Sequence, residues 1–343
     1  MRHRCEYGPR VAMRVSLGGS LTLAGLVFLL AFGDHSVAQA SSTWIAFQSL
    51  RDGNPEIYIV RPDGTGLRRL TRNPAGDVGV MWSPARRQLA FWSDRNGEYA
   101  IYAMNADGSG LRKLFTISPD TYHWTWSPDG TRFAFGSDRD GDTDIYISDS
   151  DGGRARNISA HPAWWEVSPT WSPDSRRVAF TSNRDGPRRI YAVDADGRNA
   201  ELMITPGGVE EHPAWSPDGR QLAFISRRRD LFHKDLWVAD LGGGNARNLT
   251  PAPDGERDFD PTTDAQSPAW SPDGRQIAYI GEPWNDSDVF ITNVANPNRM
   301  RLVEHPARDR SPVWFDPRGL PVSSVNRRAS TWGWLKALGP SAR

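Results

Sequence analysis

Cysteine is nearly missing from this chain: Cys5 is the only one among 343 residues. Charge of one sign is missing as well. Lys plus Arg number 41 and Asp plus Glu 41, so no overall field directs the protein toward nucleic acid or an anionic membrane surface. No stretch sustains a 3.6-residue apolar period, which argues against helical architecture. The one sizeable apolar run, Leu21 to Phe32, is shorter than the roughly 20 residues of a membrane-spanning helix. No Gly-x-Ser-x-Gly elbow, glycine-rich phosphate loop or His-Glu-x-x-His pair follows it. These absences exclude active sites written in a single segment. They leave open catalysis by residues drawn from separate segments.

The first forty residues read as a secretory leader. Arg2, Arg4, Arg10 and Arg14 precede the apolar run, and Ala38-Gln39-Ala40 places small residues at −3 and −1 of a cleavage site after Ala40. Met13 is an alternative start, because a compact leader begins there. Removing residues 1–40 takes Cys5 away, so the mature chain is expected to lack disulfides, thiol nucleophiles and a lipid-bearing cysteine. It also leaves 37 basic against 39 acidic residues, a formal charge near −2.

Beyond the leader one phrase recurs. Trp82-Ser-Pro, Trp126-Ser-Pro-Asp-Gly, Trp171-Ser-Pro-Asp-Ser, Trp215-Ser-Pro-Asp-Gly, Trp270-Ser-Pro-Asp-Gly and a degenerate Trp314-Phe-Asp-Pro are spaced by 44, 45, 44, 55 and 44 residues. Such a period marks a structural unit that stacks on copies of itself. Within the third unit four extended segments, Tyr122–Trp126, Arg132–Gly136, Asp144–Ser148 and Arg154–Ile158, are separated by Asp-Gly turns. Asp-Gly suits tight hairpins because positive φ costs Gly nothing and Asp little. Four antiparallel strands every 44 residues describe a β-propeller blade. The second-strand phrase occurs six times, from Ile45-Ala-Phe47 to Ile277-Ala-Tyr279, and so does the third, from Ile57-Tyr58 to Val289-Phe290. The fold class is therefore all-β, a six-bladed β-propeller with four antiparallel strands per blade. The N-terminal blade lacks a first strand, and Ser311–Phe315 is a first strand without a blade. Their pairing is expected to close the ring and remove two free edges.

The Trp-Ser-Pro-Asp-Gly and Ile-Tyr phrases resemble the WD40-like (PD40) repeat of TolB-type propellers, over about residues 44–315. Full TolB proteins place an α/β domain before the propeller. Here the repeats follow the leader directly, so that domain, and the Tol–Pal envelope role, are not implied. The expected organisation is a signal peptide over 1–40, a propeller over 41–319 and a C-terminal tail over 320–343. The tail carries Trp332 and Trp334, which suggest docking on the outside of the ring or on a partner, with disorder as the third alternative. The leader also implies a periplasmic or secreted protein with no membrane span in the mature chain.

Links from fourth strand to next first strand should gather around one mouth of the central channel. There the chain places Tyr122, His123, Trp164, Trp165, Glu211, His212 and Arg310, the candidate binding residues. His123 and His212 stand three residues before their tryptophans, where other blades carry Gly79, Ser168, Ser267 and Ser311. The mouth residues differ from blade to blade, whereas the Pro-Asp-Gly and Asp-Gly turns, assigned to the opposite face, repeat. Aromatic and arginine anchors of this kind suit a protein or peptide partner. Two further chemistries stay open. His123 and His212 with Glu211 are candidate ligands for a divalent ion, and a propeller-type lyase of pectate fragments uses histidines this way. Asp138, Asp140, Asp142 and Asp144 look like a calcium loop, although Ser-Leu-Arg-Asp-Gly and Ser-Asn-Arg-Asp-Gly turns in other blades supply a plainer reason. The connection at 250–266 is 11 residues longer than its counterparts and acidic. The expectation is an exported, non-catalytic propeller that binds a protein or peptide at the channel mouth, without cofactor and without nucleic acid. The alternative is a polysaccharide lyase or hydrolase with its active site in the channel.

Overall fold

The computed structural model describes residues 43–161, 165–204, 207–227, 234–251, 266–281 and 287–318. The leader, Trp164, most of the acidic 250–266 connection and the 320–343 tail lie outside the described residues. Twenty-four strands form six four-stranded sheets, and no helix occurs among the described residues. The first blade joins Asp309–Phe315 to Trp44–Ser49, Glu56–Val60 and Arg68–Arg69. The second runs Asp77–Thr116, the third Thr121–Asn157, the fourth Glu166–Leu202, the fifth Glu210–Asn248 and the sixth Gln266–Arg301. Each blade's first strand is innermost in the sequence-ordered sheet and its fourth outermost.

No blade has a core of its own. Each of the six apolar clusters is an interface between two blades. Ala46, Ile57 and Ile59 of the first meet Leu89, Phe91 and Tyr102 of the second. Ala134, Ile145 and Ile147 of the third meet Val178, Phe180 and Tyr191 of the fourth. The second strands explain the fit: alternation sends the central alanine to one neighbour and its large flanking residues to the other. Leu89, Ala90 and Phe91 are all fully buried, as a strand covered on both faces must be.

The turns are held by their own side chains. Asp129 Oδ1 accepts from Ser127 Oγ at 2.6 Å and from the Thr131 amide at 2.9 Å, while Gly130 takes φ of 72°. The same serine–aspartate bond recurs at 172/174, 216/218 and 271/273. The second hairpin carries another repeated device. Arg51, Arg95, Arg139 and Arg184 lie over the Phe and Tyr of their own second and third strands, each 4.7–4.8 Å from the tyrosine centroid. Arg95 reaches buried Asp77 at 2.8 Å, and Arg184 reaches buried Glu166 at 2.5 Å. Tyr58, Tyr146 and Tyr191 donate to Asp52, Asp140 and Asp185. Burial first, then that aspartate, pushes the Tyr58 and Tyr191 phenols up to about 12.

The ring closes as expected from the two incomplete ends. Trp44 pairs with Phe315, Ile45 with Trp314 and Ala46 with Val313. Trp314 packs into the cluster shared by the first and sixth blades. Arg51 of the N-terminal segment holds Asp309 of the C-terminal strand at 3.1 Å.

Deleting the chain from Asp309 onward removes one strand and one buried tryptophan together, a loss of more than about 3 kcal/mol. The melting temperature should fall sharply, and an unchanged thermal transition would show that closure carries no stability. Asp309 generates a second expectation. Burial, partly offset by Ser49 and Arg51, pushes its carboxyl up to about 6. The folded state then keeps a proton that the unfolded chain, with an ordinary carboxyl, releases. This group therefore destabilises the fold as pH rises from about 4 to about 6. Denaturant titrations at several pH values should show that component in the wild type and lack it in Asp309→Asn.

Candidate functional site

The channel is built by a defect repeated six times. Where the first strand meets the second, pairing slips by one residue, between Val78 and Met81, Tyr122 and Thr125, Val167 and Thr170, Glu211 and Ala214, Gln266 and Ala269, and at the matching place in the closing strand. These are β-bulges, which bend a strand and re-aim its side chains. The residue after the first of each pair has positive φ: Gly79 at 65°, His123 at 40°, Ser168 at 55°, His212 at 53°, Ser267 at 51° and Ser311 at 53°. Five of the six are not glycine, so the surrounding ring holds a conformation that each residue alone disfavours. Side chains from the preceding blade satisfy two of the freed amides: Gln48 Oε1 accepts from Gly79 at 3.0 Å, and Thr181 Oγ1 from His212 at 3.1 Å.

The bulge residues and those two positions later line a central cavity of about 890 Å³. They form two rings. The upper holds Gly79, which has no side chain, and the polar but formally uncharged His123, Ser168, His212, Ser267 and Ser311. The lower holds Met81, Thr125, Thr170, Ala214, Ala269 and Val313, which are small or apolar. Below them Pro128, Pro173, Pro217 and Pro272 of the Ser-Pro-Asp turns, with Asp129, Asp174 and Asp316, surround the far opening.

The predicted residues distribute unevenly over this site. Tyr122, His123, His212 and Arg310 line the cavity. Tyr122 is exposed and donates to Asp138 at 3.2 Å, whose charge raises its phenol pKa. The His123 and His212 rings approach edge-on with centroids 6.3 Å apart. Glu211 and Trp165 do not line the cavity. Glu211 is buried and held by Arg188, which also lies 4.1 Å above the Trp165 ring. Burial alone would raise the Glu211 carboxyl, but the Arg188 bond and charge, with His212 and Lys234, bring it below the ordinary value. Trp164 is outside the described residues.

The sequence reading missed Ser168, whose Oγ lies 3.1 Å from His212 Nδ1, and the whole lower ring. The equivalence of Ser168 with His123 and His212 was visible; the bulge that turns all three inward was not. One assignment needs correcting. With first strands running from mouth to far face, second strands return to the mouth, so the Ser-x-Arg-Asp-Gly turns sit on the mouth side. The contacts Tyr122–Asp138 and Asp77–Arg95 place them there. Only the Ser-Pro-Asp-Gly turns and the third-to-fourth-strand turns repeat on the far face.

Asp138 faces Tyr122, Asp140 faces Tyr146, and Asp144 accepts from Asn157 at 2.7 Å, so the acidic turn does not converge. Among the described residues no three His, Cys, Asp or Glu side chains come together as a metal site. With Glu211 committed to Arg188, His123 and His212 remain a pair. A pair falls short of the three or four protein ligands usual for zinc.

A closed ring of six such blades, with a bulge-lined channel, is a β-propeller of the repeat type described above. The chain belongs to the TolB beta propeller domain (PD40) family, which matches residues 39–125 and 120–265. TolB from Acinetobacter baumannii shares the fold with a TM-score of 0.69 at 21% identity, over 80% of this chain and 67% of that one. An oligogalacturonate lyase in complex with manganese gives 0.52 at 18%, over 77% and 74%. A chain of a nidogen/laminin complex gives 0.62 at 12%, over 79% and 98%. Likeness at these identities establishes architecture. No helix among the described residues is long and apolar enough to cross a membrane.

Burial lowers the pKa of His123 and brings that of His212 down to about 4 against the pull of Glu211. Both imidazoles are thus neutral at pH 7. The unfolded chain takes up a proton near pH 6.5 that folded His212 refuses until about 4, so this residue costs stability as pH falls through that window. Proton NMR should place the His212 midpoint near 4, and His212→Gln should flatten the acid-side loss. A midpoint near 6.5 would show the ring to be fully solvated.

Proposed function

We propose that this protein is an exported, non-catalytic propeller that binds a protein or peptide segment at the mouth of its central channel. The observation that carries this reading is the channel: about 890 Å³, with lining residues that differ from blade to blade at equivalent positions. Six identical positions filled by Gly, His, Ser, His, Ser and Ser give the wall no internal symmetry. A single asymmetric segment can therefore be read in one orientation. Trp165 and Arg188, stacked beside the mouth, add the aromatic and arginine pairing typical of interface anchors. TolB-type propellers bind proteins, and family membership extends that role here. The leader-like segment 1–40 supports a periplasmic or secreted location, with cleavage after Ala40, the propeller over 41–319 and a separate tail over 320–343.

A second reading, a lyase or hydrolase acting on a polysaccharide in the channel, is favoured by the paired neutral imidazoles 6.3 Å apart and by likeness to the oligogalacturonate lyase. Neutral imidazole is the form that accepts a proton or binds a metal. Metal content of the purified protein and release of unsaturated products from oligogalacturonate distinguish the two readings.

The test fills the channel or alters its rim. Ala214→Trp in the lower ring and Trp165→Ala at the mouth should weaken binding of peptides selected on the wild type by tenfold or more, read by fluorescence polarisation. Arg220→Ala, on the far face, should leave affinity within about twofold, as surface changes usually do. Binding that survives both the channel change and the rim change and fails with Arg220→Ala would place the partner on the far face.

A further inference from the structure

Charge along the channel is distributed so as to leave one group without a complement. Four formally charged side chains line the cavity: Asp129, Asp174, Asp316 and Arg310. The three aspartates are occupied at the far opening. Asp129 serves Ser127 and Thr131, Asp174 serves Ser172 and the Arg176 amide, and Asp316 pairs with Arg318. Arg310 is exposed at the mouth and has no carboxylate partner among the described residues. The histidines beyond it are neutral, and the lower ring is uncharged. Its backbone is fixed, since Arg310 lies opposite Gln48 in the closing strand pair. A guanidinium on a rigid strand, above a largely apolar channel, is a fork of donors matched to a carboxylate.

The walls say what accompanies that carboxylate. Pro169, Pro213, Pro268 and Pro312 follow the bulge residues in four blades and supply no amide donor. Trp171 and Trp314 are only 4% and 5% exposed, their rings packed between blades rather than offered as flat platforms. Hydroxyl and imidazole groups on the wall belong mainly to the upper ring and Tyr122, with Thr125 and Thr170 below, and Trp82, Trp92 and Trp270 are half-buried beside them. Small apolar side chains would fit the lower ring. Resting on the peptide-binding reading above, we infer that the segment entering the channel is an acidic peptide whose carboxylate pairs with Arg310 while small apolar residues pass the histidine ring.

The test uses the full-length mature protein on a synthetic decapeptide array presented with either terminus free, and compares wild type with Arg310→Gln and Arg310→Glu. Both substitutions sit at an exposed position, and unchanged melting temperatures check the fold. Wild type should select Asp, Glu or a terminal carboxylate at one fixed place, and amidated copies of the hits separate side-chain from terminal acid. Arg310→Gln should weaken those peptides about tenfold to a hundredfold, as loss of a charge-assisted bond does. Arg310→Glu should shift selection toward Lys or Arg at the same place. If wild type and Arg310→Gln bind the same peptides equally, the inference falls and the peptide reading stands. If wild type selects no peptide, both fall. In that case trigalacturonate binding that depends on Arg310 would mean that the channel takes uronate chains instead.

Discussion

Everything in this molecule depends on the fact that a blade cannot cover itself. A four-stranded sheet of this composition is apolar on both faces, and each apolar cluster spans two blades. The array must therefore bend back on itself, and the last interface must be as good as the first. Alanine at the centre of every second strand makes this possible by giving the Leu, Val or Phe of the next blade a flat place to sit. The channel results from the same requirement, because six twisted sheets packed at this distance leave a space on the axis.

The bulges convert that space into a site. Without them the first strands would present alternating residues to the axis and to the blade interface in strict period two. The extra residue resets the alternation halfway, so that a polar ring and an apolar ring lie in sequence along the channel. The cost is a run of residues in left-handed conformation, five of them with a side chain. Each is tolerated because strand pairing above and below leaves the backbone no other path. The stability of the ring thus supports the strain of its functional positions.

The sequence displayed the blade number, the strand order and the closing strand because these rest on repetition, which survives the loss of any one signal. Observed strands differ from the expected ones mainly at the outer edge, where Arg156–Asn157 is shorter than the Arg154–Ile158 segment, as fits an edge strand paired on one side only. The site was less legible. That His123 and His212 share a position could be read directly; that this position faces inward depends on a two-against-one pairing with no residue signature of its own, since Gly, Ser and His all fill it. Glu211 adjoins His212 in sequence, yet its carboxylate pairs with Arg188 and does not line the channel. The second-hairpin turns were placed on the wrong face because Asp-Gly reads alike in every hairpin, and only strand direction tells the two ends apart.

The closing register has one more consequence. Trp44 lies opposite Phe315, and both stand at the end of their strands nearest the far opening. The two covalent exits of the ring are therefore neighbours on one side, and the mouth with Arg310 and the histidine pair is on the other. The described ring thus begins and ends at its base, and its rim carries neither chain end.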